Sequence, residues 1–173
     1  MKRIESMKTS IACITVCLSI AIFALPEADA ENLAKGKLVV DGKAVEITQV
    51  YAYAQPGFFD KKKEDVVVLM CDVTVPAKTV RDDFEISKLI ETGSLHCVRQ
   101  VINTEKQVIN YEVMHKGFGM QESGGSSYHV FDAKTFDTSK IEGRARTTSP
   151  QKSFKGIPYS YDITIKASIE PVD

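Results

Sequence analysis

Three things are scarce in this chain, and each scarcity narrows what it does. The first is an excess of charge: 22 Lys and Arg stand against 23 Asp and Glu, a net charge of −1. The basic residues are scattered rather than banded, which leaves no electrostatic footprint for a nucleic acid. The second is a long apolar run. The one marked stretch, Ile11 to Leu25, has 15 residues, short of the about 20 a bilayer span requires. The third is catalytic chemistry. Only three histidines are present, none beside an obvious nucleophile with a carboxylate to orient it, and Gly-x-Ser-x-Gly is absent. The carboxylates are spread evenly, so no pair stands out for acid–base work, and no catalytic residue is assigned.

What is present begins with an address. Lys2, Arg3 and Lys8 precede the apolar run, Pro26 breaks it, and Ala28-Asp29-Ala30 supplies small residues at −3 and −1. That pattern predicts a cleavable signal peptide over 1–30 and a secreted or periplasmic product. Cys13 and Cys17 leave with the signal. Lipidation does not fit, because little apolar sequence precedes Cys13 and Val16 is too large before Cys17. Residues 31–173 are expected to form a single β-rich domain, able to bury roughly two thirds of its unfolded surface. It keeps two cysteines, Cys71 and Cys97. An even pair in an oxidising compartment predicts a disulfide; two buried thiols are the alternative.

Alternation dominates the rest. Gly36 to Ile47 reads as a hairpin turning at Asp41-Gly42. Its second strand runs on to Gln55, with a phase shift between Ile47 and Val50 that implies a bulge. Val66 to Val73 is apolar on both faces and needs cover on both. One amphipathic helix, about 82–92, supplies part of it: Asp82 caps with Glu85 three positions on, Ile86, Leu89 and Ile90 form the stripe, and Gly93 ends it. Strands follow at 95–102, 107–115, 128–136, 140–148 and 158–169, the last with strict alternation from Tyr159 to Ile169. The expected fold is all-β and mainly antiparallel. It is a meander of about eight strands, closed as a barrel or folded as a β-sandwich, with the helix packed outside.

The pieces Gly36-Lys37-Leu38-Val39-Val40-Asp41-Gly42-Lys43, Tyr51-Ala52-Tyr53-Ala54, Gly93-Ser94-Leu95-His96 and Ile141-Glu142-Gly143-Arg144 resemble a group of small secreted bacterial β-proteins with no assigned activity. The resemblance spans most of residues 31–173. It implies an exported all-β domain and no chemistry.

All three histidines fall between Leu95 and Ala133. A two-residue turn at Thr104-Glu105 would pair Val98 with Tyr111 and His96 with Val113. That puts His96, Ile109, Tyr111, Val113 and His115 on the apolar inner face. Closing the next hairpin across the glycine-rich loop 116–127 would set His115 opposite His129. Three imidazoles at cross-strand spacing can ligate Zn²⁺ or Cu²⁺; rim histidines bonded to backbone are the simpler reading, and no cofactor is otherwise expected. Glu112 and His115 match a helical metal pair, but on a strand they face opposite ways. The glycine-rich loop joins strand to strand, so it is a hairpin tip and no phosphate cradle. Phe58, Phe59, Phe118 and Met120 lie in loops. With Tyr111 they either rim a ligand or partner site, or fold back to plug an end of the β-core, the simpler of the two.

Three functions remain. The first is an exported non-enzymatic domain that binds a protein partner or a small ligand. The second is a metal-binding protein or metal-dependent enzyme using His96, His115 and His129. The third is an inhibitor of an extracellular enzyme, presenting loop 56–64 or 116–127.

Overall fold

The predicted opening hairpin is present in the computed structural model, which describes residues 32–119, 121–125 and 127–172. The expected signal peptide, 1–30, and Met120 of the expected rim lie outside the described residues. Strands β1 (Leu33–Val40) and β2 (Lys43–Ile47) are joined by Asp41 and Gly42, at φ 50° and 73°. Both values are positive, as a type I′ turn demands. The phase shift after Ile47 is a one-residue break at Thr48, whose amide bonds to the Cys71 carbonyl instead. Then come β3 (Gln49–Pro56), β4 (Glu64–Cys71), α1 (Ala77–Val80), α2 (Asp83–Thr92), β5 (Cys97–Ile102) and β6 (Val108–Met114). A single 3₁₀ turn, Lys116–Phe118, leads to β7 (Glu122–Gly124). The chain ends with β8 (His129–Phe136), β9 (Lys140–Thr147), β10 (Gln151–Lys152) and β11 (Pro158–Glu170).

Among the described residues the strand count is eleven rather than eight, because Thr48 divides one strand and the short β7 and β10 carry too few apolar residues to show alternation. The meander is also corrected. The order is β2-β1-β11-β3-β4-β5-β6-β7, with β9 on the other side of β11 and β8 beyond it. The last strand therefore sits at the centre. Its end, Ile169 and Glu170, pairs in parallel with Ala52 and Tyr53 of β3, so the sheet is mixed rather than purely antiparallel. The thirteen-residue β11 is long enough to bond β1 along one stretch and β3 along the next. The sheet curls around it into a half-barrel. Among the described residues no ladder joins β8 to β6 or β7.

The parity of β11 is as read: Tyr159, Tyr161, Ile163, Ile165, Ala167 and Ile169 are all buried. They pack with Val66, Val68 and Met70 of β4, Val98 and Ile102 of β5, and Val113 of β6 in the inner core. The opposite face of β4 and β5 forms a second cluster. There Leu69, Cys71, Leu95, Cys97 and Met114 meet Ile86, Leu89 and Ile90 of α2. Cys71 and Cys97 are directly paired across the ladder, Cα atoms 4.3 Å apart, and form the expected disulfide beneath the helix.

The termini of α2 are as predicted, with one difference. The Asp82 carboxylate accepts from the Phe84 and Glu85 amides, and Gly93 closes the helix in the left-handed conformation. Glu85 does not complete a capping box. The Asp82 amide is already bonded to Thr79 in the turn of α1, so Glu85 pairs with Lys88. Among the described residues no helix is long and apolar enough to cross a membrane.

Candidate functional site

The hairpin after β5 decides where the histidines go. Lys106 adopts a left-handed φ of 65° and lengthens the turn by one residue. A bulge between Val101 and Ile102 adds another, so Val98 faces Val113 and Cys97 faces Met114. Each slip alone would reverse every side chain; together they restore the expected faces with a two-residue shift. Ile109, expected inward, is the extra residue of the bulge and goes to the outer surface, while Val108 packs against the core.

The same shift sets His96 opposite His115. Their rings lie 4.6 Å apart. Asp72, just past the end of β4, holds His96 twice: Oδ1 accepts its amide at 2.9 Å and Oδ2 lies 2.7 Å from its Nδ1. His115 Nδ1 accepts the Gly117 amide at 2.9 Å, which caps the 3₁₀ turn. A Cβ on Gly117 would stand 2.9 Å from that nitrogen, so the cap needs glycine. Burial holds the His115 imidazole below the usual histidine range, and the adjoining His96 adds to this against the pull of Asp72.

His129 stands elsewhere. The expected hairpin between 107–115 and 128–136 does not form, because β7 pairs with β6 and displaces it: Tyr111 faces Gly124. The glycine-rich stretch is accordingly a capped turn and a strand rather than a hairpin tip. His129 meets β6 only across the open seam, where its ring stacks on Tyr111 with centroids 3.4 Å apart. Between His115 and His129 run ring contacts through Phe118 and Tyr159. The structure thus brings two of the three histidines together. Among the described residues no group of three His, Cys, Asp or Glu side chains is placed to hold a metal ion.

A buried polar cluster surrounds His129, and sequence reasoning missed it. Gln100 Nε2 donates to the Val130 carbonyl at 3.4 Å and to the Tyr161 hydroxyl at 2.9 Å. The carbonyl accepts only, which fixes the amide orientation. The Tyr161 hydroxyl then donates to His129 Nδ1 at 2.8 Å, leaving the imidazole proton on Nε2, 3.3 Å from the Tyr159 oxygen. Gln100 Oε1 is left without a partner among the described residues. Burial pushes the His129 imidazole down to about 4 and both tyrosines well above their ordinary range. The only available signal was Gln100 itself, a polar residue at an inward position.

The expected aromatic rim divides. Phe118 is 3% exposed and Tyr111 is also buried, so both fill the core. Phe58 and Phe59 do the opposite of plugging it: they are 69% and 80% exposed. Tyr111, Val113 and Phe131, which would line a barrel cavity, belong to the packed inner core.

Open space lies outside that core, part of it on the helix side. A groove of about 510 Å³ runs between α2 and the segment after β6, lined by Ser87, Ile90, Met114, His115, Lys116 and Gln121 among others. Ser87, Met114 and Gln121 also line an adjoining recess of about 140 Å³ that contains Arg99, Asp83 and Glu112. Arg99 is 8% exposed. Its terminal nitrogens pair with Asp83 at 2.7 Å and Glu112 at 3.1 Å, while its Nε has no partner among the described residues. Burial raises the Glu112 carboxyl, and Arg99 opposes that shift. Glu112 is therefore engaged with Arg99 and His115 with His96, so they form no Glu-x-x-His pair.

The chain matches no protein-family model, and no curated protein or solved structure is significantly similar to it.

Proposed function

We propose that this protein is an exported, non-enzymatic binding module whose site is the groove between α2 and the residues that follow β6. The observation that carries the reading is the Arg99 Nε–H, a nine-tenths buried donor with no partner among the described residues, in a recess that shares three lining residues with the larger groove. A buried donor without an acceptor costs about 1–3 kcal/mol, which a bound acceptor recovers. Asp83 and Glu112 already neutralise Arg99, so a carbonyl suits the site better than a second anion. Ile90 and Met114 add an apolar floor. An extended peptide of a partner, with a carbonyl for Arg99 and an apolar side chain for the floor, has this chemistry. The filled inner core argues against carriage inside the half-barrel, and the disulfide supports an oxidising, secreted or periplasmic setting.

The smallest probe with both features is N-acetyl-leucinamide. Titrated into the labelled full chain, it is expected to shift the Arg99 Nε–H resonance and the amides of Ser87, Ile90 and Gln121. Ser87→Trp, which occupies the groove from an exposed helix position, abolishes those shifts. Unmoved resonances at millimolar probe, or equal shifts in Ser87→Trp, overturn the reading.

A further inference from the structure

We infer that the loop between β3 and β4 docks on an anionic lipid surface, with Phe58 and Phe59 as the inserted wedge and Lys61, Lys62 and Lys63 as the electrostatic contact. The loop is independent of the groove. Its two aromatic rings meet edge to face at 5.0 Å, so they present one apolar tip rather than two separate side chains. The tip is held in place by its own backbone. Gly57 donates to the Lys63 carbonyl at 2.8 Å, Lys63 to the Asp60 carbonyl at 3.0 Å, and the Phe58 amide to the buried Asp65 carboxylate at 2.7 Å. Exposing two phenylalanines on a fixed loop is unfavourable in water unless something covers them.

Charge selects the cover. Three consecutive exposed lysines follow the rings, and none of them makes an ion pair among the described residues. Asp65 is buried beneath the loop, and Asp60 turns back to accept the Lys62 amide at 3.0 Å; Glu64, and Glu105 of the β5–β6 turn across the recess from Phe59 and Lys63, are the other acids. An apolar wedge beside a run of ammonium groups is the chemistry of a surface that offers acyl chains under anionic headgroups. Phe154, 87% exposed between Lys152 and Lys155, is the competing site. It has one ring, and the Lys155 ammonium lies against Gly119 rather than facing solvent freely.

The chain contains no tryptophan, so Phe59→Trp in the full chain makes position 59 its own reporter. The probes are vesicles of phosphatidylcholine alone and of phosphatidylcholine with phosphatidylglycerol, each with brominated acyl chains. With the anionic vesicles, the emission of the indole introduced at position 59 is expected to shift to the blue and be quenched. Changing Lys61, Lys62 and Lys63 to Gln weakens vesicle affinity about fivefold per lysine, about a hundredfold in all. The emission of the Phe154→Trp variant stays unmoved. The inference is overturned if the Phe59→Trp variant keeps the emission of an exposed indole with both vesicles, if it responds equally to both, or if the Phe154→Trp variant responds in its place. A Phe59→Trp variant that responds to an added protein and never to lipid overturns it in favour of a protein partner.

Discussion

Protonation of His129 is expected to destabilise this protein from within. The ring is 2% exposed, stacked on Tyr111, and accepts a hydrogen bond at Nδ1 from Tyr161. A proton on Nδ1 would turn that acceptor into a second donor and place a charge in the buried interior. Burial lowers its pKa from 6.5 to about 4. Between those values the unfolded chain binds the proton and the native chain does not, so stability is complete above pH 6.5 and falls as pH falls toward 4. At 1.36 kcal/mol per unit, the loss is about 2 kcal/mol by pH 5 and about 3 kcal/mol by pH 4. The assay is urea unfolding across that range for the wild type and His129→Phe. The variant keeps a ring to stack on Tyr111 and loses the titrating group. It is expected to be less stable at pH 7 by about 1–2 kcal/mol, for the two hydrogen bonds lost. Its pH dependence should be shallower by about 3 kcal/mol between pH 6.5 and 4, so the two curves cross. Parallel curves, or an NMR titration of His129 near 6.5, refute the reasoning.

Other substitutions probe the remaining elements. Replacing both Cys71 and Cys97 with Ala releases a crosslink spanning a sequence separation of 26 and should cost about 3.5 kcal/mol by chain entropy, read by chemical denaturation. Asp82→Ala removes both side-chain caps of α2 and should cost about 1 kcal/mol in the same assay. By NMR titration His115 should ionise below the usual histidine range; Asp72→Asn lowers it further and His96→Gln raises it. Arg99→Met strands Glu112 and should cost about 3 kcal/mol, while adding Glu112→Met recovers most of the loss, since a paired apolar replacement leaves no buried charge.

Legibility followed the range of each interaction. The ends of α2 were readable because Asp82 and Gly93 act within one helical turn. The burial of β11 was readable because parity needs no partner. The disulfide lies on the helix side of the sheet because strand parity sends Cys97 away from Val98. Topology was less accessible. The pairing of Ile169 with Ala52 joins residues more than a hundred positions apart, and alternation carries no label for which strand lies beside which. Short β7 had three residues, two of them polar or charged, and nothing to mark it as the strand that would take the edge of β6.

The histidines show how parity and register separate as sources of information. The turn at Lys106 and the bulge at Val101–Ile102 each add one residue, so the inner face of β6 is the expected one even though every partner has moved by two. Face assignments survive an even error; contacts do not. His96 therefore lies opposite His115 instead of Val113, and that single displacement makes the Asp72–His96–His115 cluster. His129 shows the converse. It lies on the inner face, as parity requires, but its neighbours cross a seam with no ladder, and only packing could choose them. The choice of Tyr111, Tyr159 and Tyr161 places the most strongly perturbed histidine in the core, away from the groove. In this fold the most strongly perturbed histidine lies in the inner core, and the unshared hydrogen on Arg99 lies on the opposite face of the sheet, in the recess beside the groove.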